Sequence, residues 1–246
     1  MADRNGPVAL VVGAGDATGG AIARRFAAGG YTAVMTRRPR NIEQLEALAG
    51  EIRDAGGRAQ AFGIDAREEA EMVPFMERVE AEIGPIEAAV FNIGANVRFG
   101  ITETTSRVYR KVWEMGAFAG FLTGREAARH MLPRGRGTII FTGATASVRG
   151  GEGYAAFAGA KHALRALAQS MARELGPKGI HVAHAVIDGA IDTAFIRDNF
   201  PDRYALKAED GVLQPADIAE AYWMLHRQAP SAWTFELDLR PWIERW

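Results

Sequence analysis

The 246 residues of this chain include no cysteine, so disulfides and thiolate metal sites are excluded. A dominant sign of charge is also missing. Twenty-nine basic residues face 30 acidic ones, for a formal net charge of −1 at pH 7, and the two signs are mixed along the chain. Neither the basic stripe of a nucleic-acid binder nor the polybasic run of a membrane-surface segment is present. No apolar stretch reaches the ~18 residues of a membrane span. The opening Met-Ala-Asp-Arg-Asn-Gly-Pro lacks the apolar region of a signal peptide. No His/Asp/Glu cluster has metal-ligand spacing, so no metal is expected. By exclusion, the expectation is a cytoplasmic protein whose partner is a small molecule, not nucleic acid or membrane.

With 48% apolar residues, the chain can bury one large core, and α/β folds of this size are commonly single domains. Short apolar runs alternate with amphipathic segments, the signature of repeated β-α-β units on a parallel sheet. Strands are expected at Val8 to Val12, Tyr31 to Thr36, Ala59 to Ile64, Ile86 to Asn92, Thr138 to Thr142, Ile180 to Ile187 and Thr234 to Leu239. Helices are expected at Gly19 to Gly29, Asn41 to Ala55, Glu68 to Ile83, Thr105 to Met131, Tyr154 to Leu175 and Pro215 to Gln228. The region Ala190 to Lys207 lacks clear periodicity. The expected fold is one α/β domain over residues 1–246, a Rossmann-like doubly wound parallel sheet with no separate substrate domain.

Gly13-Ala-Gly15-Asp16-Ala17-Thr18-Gly19-Gly20 follows the first strand and opens the first helix. Small residues there let backbone approach a pyrophosphate, and N–H groups at the helix start bind it. Downstream, Tyr154-Ala-Ala-Phe157-Ala-Gly-Ala-Lys161 opens a long helix. Together these segments resemble the short-chain dehydrogenase/reductase family over nearly the whole chain. The family turn, Thr-Gly-x-x-x-Gly-x-Gly, matches at Gly13 and Gly19, with Ala17 at the middle glycine and Val12 at the threonine. The resemblance implies that Gly13, Gly15, Asp16, Ala17, Thr18 and Gly19 cradle a dinucleotide. It also implies that Asp65 holds adenine, and it places Asn92, Ile93 and Gly94 in the cofactor loop after the fourth strand. Gly189, Ile191 and Thr193 belong to the loop that holds the nicotinamide amide, with Asp188 where the family has proline. Lys161 binds the nicotinamide ribose.

The catalytic set departs from the family. The family tyrosine of Tyr-x-x-x-Lys is Phe157 here, the serine thirteen residues earlier is Ala144, and the helix asparagine aligns with Gly116. Reduction of a carbonyl leaves an oxygen that needs a proton, and phenylalanine has none to give. Losing one positioned acid typically costs ~10²–10⁴ in rate. Tyr154 is the nearest weak substitute, but it lies seven residues before Lys161, about 10.5 Å along a helix. Otherwise it is a pocket-wall or packing tyrosine. Asp188 with His184 is an alternative proton relay, set against the ordinary reading of a packed strand histidine.

Thr36-Arg37-Arg38-Pro-Arg40 ends the second strand where an acid would favour NAD. The arginines favour the 2′-phosphate of NADP, unless they form an ordinary solvated loop. NADP is therefore expected over NAD, although Asp16 adds negative charge nearby or caps the helix. The C-terminal Trp and Arg residues, including Trp246, suit an interface, and the resemblance implies a homodimer or homotetramer. Three functions stay open. The first is an NAD(P)-dependent oxidoreductase with an atypical site and an unassigned substrate. The second is a catalytically inactive dinucleotide-binding sensor or structural partner. The third is a lyase or isomerase using the same pocket.

Overall fold

The computed structural model describes residues 6–244, so the predicted anchor Trp246 lies outside the described residues. Seven strands form the sheet: β1 (Val8–Val12), β2 (Thr32–Arg37), β3 (Arg58–Gly63), β4 (Ile86–Phe91), β5 (Gly137–Thr142), β6 (Ile180–Ile187) and β7 (Glu236–Leu239). All neighbours pair in parallel, in the order β3-β2-β1-β4-β5-β6-β7. Chain order reverses at β1 and β4, and ligand crevices of doubly wound sheets open at that point, beyond the strand C-termini.

Every residue of β1 and of β6 is buried. Alternate residues of β1 feed opposite faces: Val8, Leu10 and Val12 enter one core cluster, Ala9 and Val11 the other. Burial on both faces explains why these strands read as unbroken apolar runs rather than as an alternation.

One face carries α3 (Glu69–Arg78), α5 (Ala119–Met131) and α6 (Ala155–Leu175), and the other carries α1 (Thr18–Ala28), α2 (Ile42–Asp54) and α9 (Pro215–Arg227). A π-turn, Glu114–Phe118, joins α4 (Ser106–Trp113) to α5, so the long helix expected over 105–131 is continuous with one widened turn. The segment without periodicity holds two short helices, α7 (Ala194–Asn199) and α8 (Pro201–Ala205). Neither buries a residue, so neither carries the apolar stripe that periodicity detects. Among the described residues no helix is long and apolar enough to cross a membrane.

Candidate functional site

β1 ends in a turn whose geometry only small residues allow. Gly13 sits at φ 90°, and its N–H and that of Ala14 donate to the Thr36 carbonyl at 3.0 and 3.1 Å. A Cβ on Gly13 would lie 2.8 Å from Ile93 Cγ1, and one on Gly19 would lie 2.7 Å from Ala14 Cα. Asn92 Nδ2 donates to the Gly13 carbonyl at 3.2 Å, so the loop after β4 pins the turn after β1. Gly15 and Gly94 behave differently. A Cβ on either meets no atom within 4 Å, so both face open space beside the packed turn. α1 starts after Ala17 without a side-chain cap, so no side chain competes for its first N–H groups. Exposed Asp16 does not cap the helix, because the capping position is Ala17, one residue later. Thr18 is buried in the first turn. Tight packing below and an open lip above fit a diphosphate.

At the far end, Arg37 closes β2 and its Nη1 donates to Gln44 Oε1 at 3.0 Å. Arg38 follows it, its pKa lowered by partial burial and by neighbouring Arg40. Asp65, just past β3, accepts from Arg67 Nε at 2.9 Å and Arg67 Nη2 at 2.5 Å. Those bonds hold its carboxyl below the usual range. Four arginines (37, 38, 40 and 67) therefore influence this corner; Asp65 is already paired with Arg67, and Glu71, Glu114 and Glu68 stand around the same two residues. Arg67 escaped the sequence reading, although its spacing two residues after Asp65 was the available signal.

Lys161 projects from α6 into the interior, 2% exposed. Its Nζ donates to the carbonyls of Thr142 at 2.8 Å and Ile93 at 3.2 Å, tying α6 to the ends of β5 and β4. Burial pushes its pKa down to about 8. Phe157 stands one turn earlier, with Lys161 Nζ 6.0 Å from its ring centroid. Tyr154 precedes the first turn of α6, and its ring packs beneath the Arg98 guanidinium at 5.9 Å.

The hydroxyls near Ala144 are occupied or buried. Thr145 Oγ1 donates its single proton to Asp188 Oδ1 at 2.5 Å. Ser147 is fully buried, and its Oγ accepts from the Ala144 N–H at 3.1 Å. Asp188 also receives Arg149 Nη2 at 3.2 Å, so it fastens the loop after β6 to the loop after β5. That role went unseen in the sequence, since its partners lie 43 and 39 residues away.

Asp188 and His184 do not form the alternative relay, and the ordinary reading of a packed strand histidine holds. His184 Nδ1 faces Glu236 Oε2 at 3.0 Å, and burial brings the histidine pKa down to about 4. A Cβ on Gly143 would lie 2.4 Å from His184 Nε2, so that ring abuts the backbone just before Ala144. His162 turns away, its Nδ1 against the Ala158 carbonyl at 2.9 Å. Gly189, at φ 157°, is packed on Pro241, while Ile191 pairs in a short bridge with Leu213. Thr193 caps α7 by accepting from the Ile196 N–H at 3.2 Å and keeps its own proton to donate. Gly116 lies in the π-turn, where a Cβ would be 3.0 Å from Ala160 Cβ. No group of three or more His, Asp or Glu side chains among the described residues could hold a metal.

Comparison with known proteins gives one consistent picture. The family model for short chain dehydrogenase matches residues 7–203. A solved short-chain dehydrogenase from Rhodopseudomonas palustris is 51% identical, with TM-score 0.82, covering 96% of this chain and 99% of that one. A metagenomic short-chain oxidoreductase solved in complex with NADP is 26% identical, with TM-score 0.77, covering 96% and 98%. A probable tetrahydroxynaphthalene reductase from Zymoseptoria tritici is 30% identical over 239 residues, 90% of this chain and 88% of that one.

Proposed function

The chain belongs to the short chain dehydrogenase family, and we propose from that premise that it is an NADP-preferring oxidoreductase whose catalytic serine and tyrosine are replaced by Ala144 and Phe157. The observation that carries this reading is the cradle itself. Gly13 and Gly19 are locked against Asn92 and Ile93, Gly15 and Gly94 are open, and Lys161 is held at the far end by two carbonyls. A cradle serving only as a packing turn has no need for an open lip.

In this reading Gly13, Gly15, Asp16, Ala17, Thr18 and Gly19 surround the diphosphate, and Arg37 and Arg38 read the 2′-phosphate. Asp65 lies beside the adenine. Asn92, Ile93, Gly94, Gly189, Ile191 and Thr193 line the nicotinamide half, with Lys161 on its ribose. The bound dinucleotide supplies or accepts a hydride. Reduction of a carbonyl adds that hydride to carbon and one proton to oxygen. Phe157 holds no such proton and Thr145 has committed its own to Asp188, so the proton reaches the oxygen from another source. Tyr154 sits too early on α6 to share a turn with Lys161. Assembly as a homodimer or homotetramer, a small-molecule substrate and a cytoplasmic location belong to the same proposal.

Calorimetric titration with NADPH and with NADH tests it. NADPH is expected to bind more tightly, and Arg37→Ala with Arg38→Ala should weaken NADPH at least tenfold while leaving NADH within about twofold. Charge-assisted contacts to phosphate are each worth ~1.5–3 kcal/mol, so equal losses for both dinucleotides would refute the NADP preference. Absence of binding by either would overturn the oxidoreductase reading and leave assembly with a protein partner as the function to test.

A further inference from the structure

Three loops leave the C-terminal edge of adjacent strands β4, β5 and β6 and so border the same crevice. They are residues 92–105, 143–154 and 188–214. The first two are joined directly, the Phe99 N–H donating to the Gly153 carbonyl at 2.9 Å. The second and third are joined through Asp188. Twelve large apolar side chains are exposed among the described residues, and six of them, Phe99, Ile101, Val148, Phe195, Phe200 and Leu206, lie in these loops. Phe195 and Phe200 are 60% and 45% exposed and stand edge to face, 5.9 Å apart.

The loops' basic side chains behave in the opposite way. Arg149 pairs with Asp188 at 3.2 Å, Lys207 with Asp192 at 2.7 Å, Arg197 with Asp198 at 2.8 Å and Arg203 with Glu244 at 3.7 Å. Arg98 lies over the Tyr154 ring. Each basic side chain of these loops has a partner within the protein, while apolar surface is left open. The floor of the crevice continues the theme, since Phe157 and Ala144 put carbon where the family pattern has hydroxyls, among Ala95, Val97 and Tyr154. Phenyl rings held in water around a nucleotide crevice gain from a ligand that covers them.

We propose that the substrate is an apolar ring compound, a cyclic ketone or the matching secondary alcohol, seated between Phe99, Val148 and Phe200 over Phe157. The inference rests on the nicotinamide reading above and adds a substrate class to it. Binding involves no covalent step. Recognition is by ring contact on several sides of the crevice, and it disfavours polyhydroxylated substrates, whose hydroxyls would lose water against phenyl rings.

The test uses wild-type protein saturated with NADPH, titrated calorimetrically with α-tetralone as bicyclic ketone and with fructose as polyhydroxylated ketone. Phe99→Ala and Phe200→Ala follow, one from each of two loops. Both side chains are more than 40% exposed, so both variants should melt with the wild type. The expected result is α-tetralone binding without fructose binding, weakened roughly tenfold by each substitution, the effect of about 1.4 kcal/mol of lost apolar contact. NADPH affinity should be unchanged in both. Fructose binding as tightly as α-tetralone, binding of neither, or α-tetralone affinity unmoved by both substitutions would overturn the substrate class. Failure of NADPH to bind the wild type, seen before any ketone is added, would instead overturn the nicotinamide reading and this inference with it.

Discussion

Phe157→Tyr puts a phenol where Lys161 already waits, and its titration measures what that lysine does to a neighbouring acid. The Phe157 ring centre is 6.0 Å from Nζ, on the same face of α6. A phenolate about 5 Å from an ammonium gains ~3 kcal/mol at an effective dielectric of ~20, or about two pKa units. Burial acts in the opposite direction, as it does for the buried Tyr222 hydroxyl, whose pKa is raised. Phe157 keeps 9% exposure where Tyr222 has none, so attraction should win. The new tyrosine is expected to titrate near ~8, below the ordinary ~10, and Lys161 should rise from about 8 as it gains a partner. The assay is a difference titration of phenolate absorbance, variant minus wild type, with Phe157→Tyr in a Lys161→Met background as control. A phenol at or above ~10 in the variant, or one unaffected by loss of Lys161, would refute the reasoning. If the phenol does shift, Ala144→Ser with Phe157→Tyr should raise turnover of a reducible ring ketone by ~10²-fold or more, the scale of one positioned acid.

Lys161→Met should change how stability depends on pH. The lysine is fully buried with its pKa lowered from 10.5 to about 8, so the unfolded chain holds the proton more tightly between those values. Its charge thus costs stability below pH 8, on the order of 3 kcal/mol, and that cost fades as pH rises toward 10.5. Methionine also leaves the Thr142 and Ile93 carbonyls without this donor, a cost independent of pH. Its stability relative to wild type should therefore be most favourable at neutral pH and least near pH 10.5, a trend read from denaturant midpoints; the opposite trend would contradict it. Gly143→Ala places a methyl 2.4 Å from His184 Nε2 and 2.8 Å from Ser147 Oγ. It should cost ~1–3 kcal/mol by overpacking, and an unchanged melting temperature would show that the loop yields.

How much of this could be read from the sequence depended on distance along the chain. β1 and β6 match their expected limits to the residue, because burial on both faces makes their apolar runs unbroken. β7 is shorter than expected, since Thr234 and Phe235 lie before the paired segment. The helices α7 and α8 left no trace because neither has a buried side. At the site, the glycine turn and Lys161 were legible as local patterns. The partners of Asp188 and the His184–Glu236–Arg165 cluster were not, because they meet across 39 to 71 residues of chain. Asp65 was legible as an acid at a strand end, but its pairing with Arg67 was not anticipated.

Gly116 leaves little room for a larger residue beside α6. Ala160 Cβ stands 3.0 Å from where its Cβ would be and Ala95 Cβ stands 3.5 Å away. Gly116→Asn would need Ala160 to give by a few tenths of an ångström, while Ala95 is already at ordinary contact distance. A side chain added at Gly116 would be felt at Ala160, one residue before Lys161, so this glycine is what lets the π-turn approach that part of α6.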